Sequence, residues 1–476
     1  MEKIGVIWFR QDLRLDDNYA LNEICKACDY VLPIYIFDKN NKIGSASKWW
    51  LEKSLYNLKK SLESKKSKII LYKGNPKIII SDLISKTNIT HFFWNRSYDY
   101  YSVERDKKLK KYLIEKNIVC KTFKGSLINE PWDIKNNNNE FYKVFTPYWN
   151  KSLEKIKDLN LFKAPSSIPF PKNKPNFENL SIKDLNLISE KSKSNWTYKF
   201  EKEWSPGEFE AKKRLNNFKK NILDEYGNGR DRPDKDFTSK LSPHLHFGEI
   251  SPERIFFEIK NFKNKNKQSK NKYLSEIGWR EFSYNLIYYY PDMDKVHIQK
   301  KFLKFPWKKN LKHLKAWQEG MTGIPIIDAG MRQLYKTGWM HNRLRMIVGS
   351  FLCKNLLIHW SEGEKWFFDK LVDADIASNS AGWQWIAGCG ADAAPYFRVF
   401  NPFLQSKKFD PDGLYIKKYV PELSSLPSIL LHSPLDISIE DQLKYKCIIG
   451  KDYPKPIIDI YKTRDIALDS FKSLKN

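Results

Sequence analysis

Three segments of the C-terminal half combine tryptophan with arginine, asparagine and aspartate on otherwise apolar stretches of chain. They are GWREFSYNLI (278–287), TGWMHNRLRMIVGSFLCKNLLIHW (337–360) and LVDADIASNSAGWQWIAGCGADAAPYFRVFNP (371–402). A tryptophan-rich helical core would account for the aromatic residues. It would not account for the charged ones, because burying a charge costs free energy unless the charge is paired or serves a function. These segments are therefore the first place to look for a site.

The polar residues of these segments have spacings that predict particular contacts. Arg345 could pair with Asp373 across two helices, and Arg343 lies on the same apolar stretch as Arg345. Asp375 and Asn379 are four residues apart, so a helix would place them on one face with polar atoms to spare.

The sequence gives little support for hydrolytic, metal or phosphate-loop chemistry. The first βα turn, FRQDLRLDD (9–17), lacks the glycines of a dinucleotide-binding sheet, and no GxxxxGK[ST] loop occurs. The GxGxxA string at 388–393 follows no predicted strand, so we interpret it as a chance match. The pair Cys25 and Cys28 has no second pair for zinc, and the pair His244 and His246 has no cysteine or carboxylate at metal spacing. We expect no metal site.

The chain has 476 residues, with 83 Lys and Arg against 56 Asp and Glu, and a net charge of +27. That charge indicates either a polyanionic partner such as nucleic acid or the Lys and Asn codons of an AT-rich genome. No apolar run is long enough to cross a membrane, and the N-terminus shows no secretory pattern. Six cysteines do not suggest a disulfide framework. These features favour a cytosolic or nuclear protein.

The elements that must position these residues begin with an α/β domain. Residues 1–128 alternate short apolar runs with helical patterns, which predicts a doubly wound parallel sheet of five strands with both faces covered. Asn75 and Pro76 predict the N-cap and first turn of a helix over 76–87. The predicted strands are IGVIWF (4–9), VLPIYIFD (31–38), KIILYKG (68–74), HFFWNRS (91–97) and IVCKTFKG (118–125).

The rest of the chain contains no further strand pattern. Residues 129–200 are rich in proline, asparagine, serine and lysine, which predicts a long linker over the surface. Amphipathic helical patterns then dominate residues 201–476, and we predict one all-helical domain there. Its clearest predicted helices are 207–226, 251–263, 270–290, 325–337, 339–358 and 363–371.

Five long motifs, in order along the chain, resemble the photolyase/cryptochrome flavoproteins. They are FRxDLRxxDN (9–18), TSxLSPxLxFGxISP (238–252), WREFxxxxI (279–287), TGxPxxDAxMRQLxxTGWMHNRxRM (322–346) and the block at 373–402. The resemblance covers essentially the whole chain. It implies the same architecture as the patterns do: an α/β domain that serves a light-harvesting antenna, a long linker, and a helical domain that binds FAD folded into a U.

The resemblance also implies cofactor-binding residues. Arg345 and Asp373 match an ion pair against the isoalloxazine, Asp375 matches a hydrogen-bonding partner of the flavin, and Asn379 matches the residue that faces flavin N5. Tyr273 stands near the adenine side, where tryptophan is common. The remaining matched positions, toward the flavin phosphates, are Tyr226, Thr238, Ser239, Lys240, Leu241, Ser242 and Arg280.

On the substrate side, Glu276 and Asn342 match groups that hydrogen-bond the damaged bases, and Met346 matches a contact to them. With Asn379, these residues form the implied catalytic set. Trp279 and Trp385 match the indoles against which a flipped lesion packs. The DNA-binding residues implied in total are Arg230, Glu276, Trp279, Arg280, Asn342, Arg343, Trp385 and Gln405.

Two further features follow from the resemblance. Trp383, Trp360 and Trp307 match a tryptophan chain that carries electrons from the surface to the excited flavin. In the antenna site, Tyr101-Ser102 stands where folate-binding photolyases of enteric type have Asn-Glu.

The antenna is nevertheless expected to be 5,10-methenyltetrahydrofolate rather than a deazaflavin. The segment SASKWWLEKSL (45–55) resembles a folate-using bacterial branch near the plant cryptochromes. Asp99 or Glu104 would then supply the missing acid, and Trp50 and Tyr98 would contact the chromophore.

The resemblance implies light-driven repair of cyclobutane pyrimidine dimers in UV-damaged DNA, as in class I-like or class III photolyases. The main alternative is a cryptochrome-type blue-light receptor without repair activity. Asn379 favours repair, since plant cryptochromes tend to have aspartate there, and so does the end of the chain soon after the family core.

A (6-4) photolyase would carry a second histidine beside His341. A non-catalytic, basic flavoprotein that binds nucleic acid would not need the complete set of Glu276, Asn342, Met346 and Trp385. We expect a monomer without an obligate protein partner, in the bacterial cytoplasm.

Overall fold

The N-terminal part is a parallel sheet, as the sequence predicts. The computed structural model describes residues 2–156, 159, 161–171, 179–188, 196–392 and 397–475, so parts of the predicted linker and the end of the GxGxxA string lie outside the described residues. Five strands form the sheet in the order β3-β2-β1-β4-β5. All neighbouring strands run parallel, and β1 lies at the centre with nearly every residue buried. The strands are β1 (Ile4–Phe9), β2 (Tyr30–Phe37), β3 (Ile70–Lys73), β4 (Ile89–Asn95) and β5 (Val119–Phe123).

Four helices connect these strands, and side-chain caps fix where three of them begin. The side chains of Asn18, Asn75 and Asp99 accept hydrogen bonds from backbone N–H groups of the first turns. Asn75 is therefore the N-cap that the sequence predicts. The helices are α1 (Tyr19–Ala27), α2 (Ser45–Glu63), α3 (Pro76–Lys86) and α4 (Tyr100–Glu115).

The FRQDLRLDD turn after β1 joins the sheet to the helical part. Arg14 is buried, and its guanidinium donates to the carbonyl oxygens of Gly248 at 2.9 Å and Gly125 at 2.8 Å. Gly248 has a φ of +65°, and a Cβ built there would lie 2.1 Å from the carbonyl oxygen of Gln11. The motif thus fixes the interface between the two parts of the chain.

The prediction that residues 129–200 lie over the surface is wrong for one segment. Helix α5 (Phe145–Lys155) buries Tyr148 and Trp149 in the same apolar cluster as residues of the helical part. Phe145 stacks on Trp279 with ring centroids 3.8 Å apart and planes 9° apart. Proline and polar residues dominate the composition of 129–200 and mask the amphipathic pattern of this 11-residue helix.

Helices make up the rest of the described chain, and no strand occurs in its described part after β5. No helix among the described residues is long and apolar enough to cross a membrane. The remaining helices are α6 (Glu208–Asn221), α7 (Tyr226–Gly229), α8 (Ser242–His246), α9 (Pro252–Asn261), α10 (Lys267–Tyr289), α11 (Leu311–Glu319), α12 (Pro325–Thr337), α13 (Asn342–Ser350), α14 (Trp360–Lys370), α15 (Ile376–Ala387), α16 (Pro402–Phe409), α17 (Leu414–Tyr419), α18 (Ser428–Leu431), α19 (Ile439–Lys444) and α20 (Ile460–Lys472).

The helix predicted over 339–358 is shorter and ends differently. It begins at Asn342 because the His341 side chain accepts the backbone N–H of Arg343 at 3.2 Å and caps the first turn. After Ser350 it continues as a π-helical turn, Phe351–Asn355, which Leu357 ends with a φ of +55°. Neither the cap nor the π turn has a signal in the hydrophobic period.

Candidate active site

A cavity of about 580 Å³ lies among α10, α13, α14 and α15, and we call it the central pocket. All three of the tryptophan-rich segments contribute to its lining. It brings together most of the site residues predicted from the sequence, although they are spread over more than 150 positions of the chain. The predicted site residues that line it are Arg230, Ser242, Glu276, Trp279, Arg280, Asn342, Arg343, Arg345, Met346, Asp373, Asp375, Asn379, Trp383 and Trp385.

The predicted ion pair between Arg345 and Asp373 forms one wall of the central pocket. Nη2 of Arg345 lies 2.8 Å from Oδ2 and 3.1 Å from Oδ1 of Asp373. Ser242, at the start of α8, donates its hydroxyl to the same carboxylate at 2.6 Å. Asp373 is almost fully buried, so this pairing satisfies a carboxylate that would otherwise be costly to bury.

Asp375 has no polar atoms to spare, contrary to the sequence interpretation. Its side chain caps α15 by accepting the N–H of Ser378 at 2.9 Å, and it also contacts His246 Nδ1 at 3.3 Å and the Tyr284 hydroxyl at 2.5 Å. Burial alone would raise the pKa of Asp375. The hydrogen bond and charge of His246, the charge of Arg280 and the hydrogen bond from Tyr284 overcome that effect and hold the pKa below its usual value. Asp375 is therefore a fixed anion in the wall.

Asn379 rests on a buried carboxyl that sequence reasoning missed. Its Nδ2 donates to the backbone oxygen of Glu364 at 3.1 Å and to Oε1 of Glu364 at 3.0 Å. Burial raises the pKa of Glu364 to about 7, although its hydrogen bond from Asn379 acts in the opposite direction. Among the described residues, Oδ1 of Asn379 has no hydrogen-bond partner, which leaves an acceptor on the pocket side. Glu364 had no clear signal in the sequence, because its helix also carries Glu362, Lys365, Asp369 and Lys370.

Gly382 leaves free space in the lining of the central pocket, next to the polar side chains described above. Gly382 lies on α15 one turn after Asn379, and a Cβ built on it meets no atom within 4 Å. The space beside it is walled by aromatic and aliphatic side chains, among them Phe367, Trp383 and Met346. The helix thus presents a groove that could receive a planar ring, with Asn379 at one end.

The predicted substrate residues are held by ion pairs and ring stacking. Glu276 pairs with Arg230, and Arg343 pairs with Asp231 at 2.7 Å. Both arginines were predicted to bind DNA, where an arginine would contact a phosphate, but each guanidinium is partly buried and already has an acidic partner. A phosphate would have to compete with that partner. The predicted residue Gln405 lies in a neighbouring cavity of about 330 Å³, which shares Arg343, Met346 and Trp385 with the central pocket.

Of the residues predicted toward the flavin phosphates, Ser242 and Arg280 line the central pocket, and the others lie outside its lining. Tyr226 and Tyr273 are buried with ring centroids 5.1 Å apart, and Arg230 lies over the Tyr226 ring at 5.4 Å. The segment that leads to Ser242 includes Lys240, whose φ is +50° and whose Nζ pairs with Asp236 at 2.8 Å. The other residues of this predicted segment are Thr238, Ser239 and Leu241, of which Leu241 is buried.

The three tryptophans of the predicted electron chain lie in or against one apolar cluster. Trp383 lines the central pocket, and its ring lies against Gly363, one turn after Trp360 on α14. His359 separates Trp360 from Trp307, with ring-centroid distances of 5.4 Å and 5.0 Å. Trp360 is fully buried, whereas Trp307 is half-buried. The order from pocket to surface is thus Trp383, Trp360 and Trp307.

A second cavity, of about 290 Å³, lies where the strands end, and we call it the sheet-edge pocket. Tyr98 and Asp99 line it, but Asp99 is occupied as the N-cap of α4. Glu104 was wrong as a pocket acid, because it is exposed and pairs with Lys107. Trp50 was also wrong, because it is fully buried between the domains and donates to Glu249 at 3.2 Å.

Asp38, which was not among the predicted residues, is one of the acids that line the sheet-edge pocket. The Tyr101 hydroxyl donates to Asp38 at 2.7 Å, and the Arg105 guanidinium lies 3.3 Å from the same carboxylate. Arg105 also lies over the Trp8 ring at 4.8 Å. The position of Asp38 directly after β2 was the available signal, since ligands bind at the carboxyl ends of parallel strands.

The described residues contain no group of three or more potential metal ligands. His244 pairs with Glu249 at 2.5 Å and His246 contacts Asp375, so both histidines have structural partners. Cys25 and Cys28 are free thiols, and burial raises the pKa of each.

Comparison with known proteins gives one consistent match. The family model described as DNA photolyase matches residues 5–171, and that described as the FAD binding domain of DNA photolyase matches residues 273–473. The deoxyribodipyrimidine photo-lyase of Agrobacterium fabrum is 42% identical over 99% of this chain and 98% of its own. Cryptochrome-2 of Arabidopsis thaliana is 35% identical over 98% of this chain and 78% of its own.

A solved structure gives the same match in three dimensions. The crystal structure of a class III photolyase from Agrobacterium tumefaciens has a TM-score of 0.95 and 41% identity, and the match covers 100% of this chain and 98% of that one. Fold, sequence and both family models agree: this chain belongs to the DNA photolyase and cryptochrome family.

Proposed function

We propose that the protein repairs cyclobutane pyrimidine dimers in UV-damaged DNA with light, as a deoxyribodipyrimidine photo-lyase. One observation carries the proposal. Glu276, Asn342, Met346 and Trp385 line the same cavity as Asn379 and the groove at Gly382. A site for damaged bases and a site for a planar cofactor are thus continuous, as electron transfer between the two requires.

The residues of the central pocket fit FAD. The open space at Gly382 suits a flat ring, and the unpartnered oxygen of Asn379 suits a ring N–H. Bound FAD would supply a one-electron donor that light activates, and the protein's task would be position and electrostatics. The paired carboxylate of Asp373 and the fixed anion Asp375 would orient the ring, while Arg280 would balance their charge.

The substrate side would hold two linked, adjacent pyrimidines of one strand outside the double helix. Flipping costs less for a lesion whose stacking and pairing are already disturbed. Trp279, whose ring is fixed by its stack on Phe145, and Trp385 would receive the flipped bases on aromatic faces. Glu276 and Asn342 would hydrogen-bond them, and the apolar walls would exclude water.

Repair is tested by mixing FAD-loaded, reduced protein with an oligonucleotide that contains one thymine dimer. We expect blue light to restore intact thymines, and the dark control to leave the dimer in place. An oligonucleotide with a (6-4) photoproduct should stay unrepaired. If light changes the flavin absorption but restores no thymines in either substrate, the protein is a cryptochrome-type receptor and the proposal fails.

We also propose that the sheet-edge pocket receives an antenna, with 5,10-methenyltetrahydrofolate favoured over a deazaflavin. Ala374 and Asp375 line both this pocket and the central pocket, so a chromophore there would lie close to the flavin. Asp38 would bind the pterin ring in place of the acid lost at Tyr101-Ser102. Arg105 and Tyr98 would support it.

The antenna proposal predicts a near-ultraviolet folate band in protein purified from its native host. Asp38→Asn should weaken that band, and Glu104→Gln, which changes an exposed acid outside the pocket, should not. A deazaflavin band, or flavin absorption alone, would contradict the folate assignment and leave the repair proposal intact.

Three broader expectations remain proposals. We propose that residues 1–128 form the antenna domain and 201–476 the FAD- and DNA-binding domain, with 129–200 as the connection that contributes α5 to the second domain. We propose that the protein acts on chromosomal DNA in the bacterial cytoplasm. We propose that it acts as a monomer.

A further inference from the structure

Two histidines lie among the tryptophans of the proposed electron chain, and the sequence analysis gave neither a role. Trp360 donates its indole N–H to Nδ1 of His297 at 2.9 Å. Nε2 of His297 lies 3.3 Å from Nε2 of His359. The His297 ring also stacks on Trp307, with centroids 6.1 Å apart and planes 11° apart. Both imidazoles therefore touch the middle and the last tryptophan of the chain.

The protein holds His297 in place through a glutamine of the central helix. Gln384, buried on α15 between Trp383 and Trp385, accepts the N–H of Ile298 at 2.9 Å. Its amide donates to the backbone oxygens of Met293 at 2.7 Å and Val296 at 2.9 Å. The loop that carries His297 is thus anchored on the same helix that carries the first tryptophan of the chain.

The hydrogen bond from Trp360 defines the tautomer of His297. An indole N–H only donates, so Nδ1 of His297 carries a lone pair and the neutral ring has its proton on Nε2. His359 is held separately as the cap of α14, because its Nδ1 accepts the backbone N–H of Ser361 at 3.2 Å. Trp360 therefore has a direct base in His297, the acceptor of its own indole hydrogen bond.

We propose that His297 takes the indole proton of Trp360 when Trp360 is oxidised during light-driven reduction of the flavin. This inference rests on the proposed function, because it needs Trp383 and Trp360 to supply electrons to a photoexcited oxidised flavin. Trp307 differs from Trp360 in this respect. Its buried indole nitrogen has no hydrogen-bond partner among the described residues.

The step balances in electrons and protons. One electron passes from Trp360 to the oxidised Trp383, and the Nε1 proton of Trp360 passes to Nδ1 of His297. Trp360 becomes a neutral indolyl radical and His297 an imidazolium. Trp307 then gives an electron to Trp360 while the proton returns from His297, and a one-electron reductant of the thiol class finally reduces the half-buried Trp307.

His297 is neutral at the start of this step, so its Nδ1 can accept the indole proton. Burial, together with a smaller effect of the neighbouring His359, lowers the pKa of His297 to about 4. Burial also lowers the pKa of His359, while the charge of Glu362 raises it and that of Lys365 lowers it.

Spectroscopy of the full-length, FAD-loaded protein with ¹⁵N-labelled histidine tests the starting state. We expect a histidine that has no proton on Nδ1, has one on Nε2, and disappears from the spectrum in His297→Gln. A proton on Nδ1 of His297 in the wild-type protein would overturn the proposal.

Flash photolysis of the oxidised Trp307→Phe holoprotein tests the transfer itself, because Trp360 is then the last donor and the protonated and neutral tryptophan radicals absorb differently. Adding His297→Gln keeps an acceptor for the indole N–H but cannot take its proton, so deprotonation should slow by roughly tenfold or more. Adding His313→Gln, on α11 and outside this cluster, should leave the rate of the Trp307→Phe protein unchanged. Unchanged deprotonation after addition of His297→Gln would overturn the proposal.

A third variant separates this inference from the proposed electron chain. Trp383→Phe should form almost no tryptophan radical after the flash. Wild-type radical formation in Trp383→Phe would overturn the electron chain and with it the proton transfer. Loss of radical in Trp383→Phe together with slow deprotonation in His297→Gln would support both.

Discussion

Glu364 places an ionisable group directly behind the side chain that would face the flavin. Its carboxyl is nearly buried, accepts hydrogen bonds from Asn379 and Ser380, and feels the negative charge of Asp294 and the positive charge of Lys42. Burial is the largest influence and raises the pKa to about 7. The charge beneath Asn379 can therefore change near neutral pH.

The pH dependence of stability should reveal this group. The folded protein keeps the Glu364 proton up to a pKa of about 7, whereas the unfolded chain releases it near 4.5, so the free energy of unfolding falls as pH rises through that window. Glu364→Gln cannot ionise and should gain on the order of 2 kcal/mol relative to wild type between pH 5 and pH 8. Urea unfolding at both pH values measures the difference.

A glutamate on the same helix provides the control for that measurement. Glu362→Gln changes a side chain that is 43% exposed and should follow the wild-type pH profile. Glu281, whose pKa burial raises to about 7, will leave some pH dependence in every variant. If Glu364→Gln shows the full wild-type dependence, Glu364 is already ionised at neutral pH.

Glu276 is proposed to hydrogen-bond the damaged bases and has no proposed role in binding FAD. A carboxyl fixed against the bases can stabilise the charge that develops on the dimer, because it is oriented before the reaction begins. Glu276→Ala should retain FAD with an unchanged spectrum and should lower the number of dimers repaired per absorbed photon by roughly tenfold or more. Steady illumination of a dimer-containing oligonucleotide measures this yield.

The ion pair with Arg230 makes a second variant informative. Arg230→Ala leaves the Glu276 carboxyl in the pocket without the partner that holds it, so part of the same loss is expected. A normal yield in Glu276→Ala would remove this residue from the mechanism.

Helix α15 is the element on which the central pocket depends most. Asp375 caps it, Asn379, Gly382 and Trp385 face the cavity, and Gln384 anchors a neighbouring loop. A glycine within a helix normally costs stability relative to alanine. At Gly382 that cost keeps open the space that a ring would occupy.

Substitutions at Gly382 should therefore separate stability from cofactor binding. Gly382→Ala should stabilise the protein without FAD by up to about 1 kcal/mol, and Gly382→Leu should fill the groove and weaken FAD binding roughly tenfold or more. Thermal unfolding without FAD and flavin titration measure the two effects. Gly363→Ala is the contrast, since its Cβ would lie 2.1 Å from the Trp383 ring and should destabilise the protein. Normal FAD affinity in Gly382→Leu would place the ring elsewhere.

The strands and the ion pair of the pocket were predictable because each follows a local or complementary pattern. Continuous apolar runs predict a covered parallel sheet, and the prediction held for every strand within a few residues. Charged residues on apolar stretches of chain require partners, which predicts the pair of Arg345 with Asp373. The stack of Phe145 on Trp279 and the hydrogen bond from Trp360 to His297 were not predictable, since nothing in the sequence specifies which distant surfaces meet.

At the scale of the whole molecule, the buried interface between the sheet domain and the helical domain places the sheet-edge pocket next to the central pocket. Arg14 and Gly248 fix the helical part against the turn after β1, and Ala374 and Asp375 then separate the sheet-edge pocket from the central pocket. A short separation is what energy transfer between two chromophores would need. The unusual FRxDLR turn is thus explained by the interface rather than by phosphate binding.

The net charge of +27 should appear in DNA binding as a steep dependence on salt, because each neutralised phosphate releases counterions. Arg343 lines the central pocket but is paired with Asp231, so a phosphate must displace that carboxylate. Arg343→Ala should reduce the slope of log K against log salt by roughly one. Lys26→Ala, on α1 of the sheet domain, is the control and should leave the slope unchanged.

Binding of dimer-containing DNA at several salt concentrations measures the slopes. A salt-insensitive affinity would mean that the charge reflects genome composition, and equal slopes for Arg343→Ala and wild type would mean that Arg343 stays with Asp231 when DNA binds.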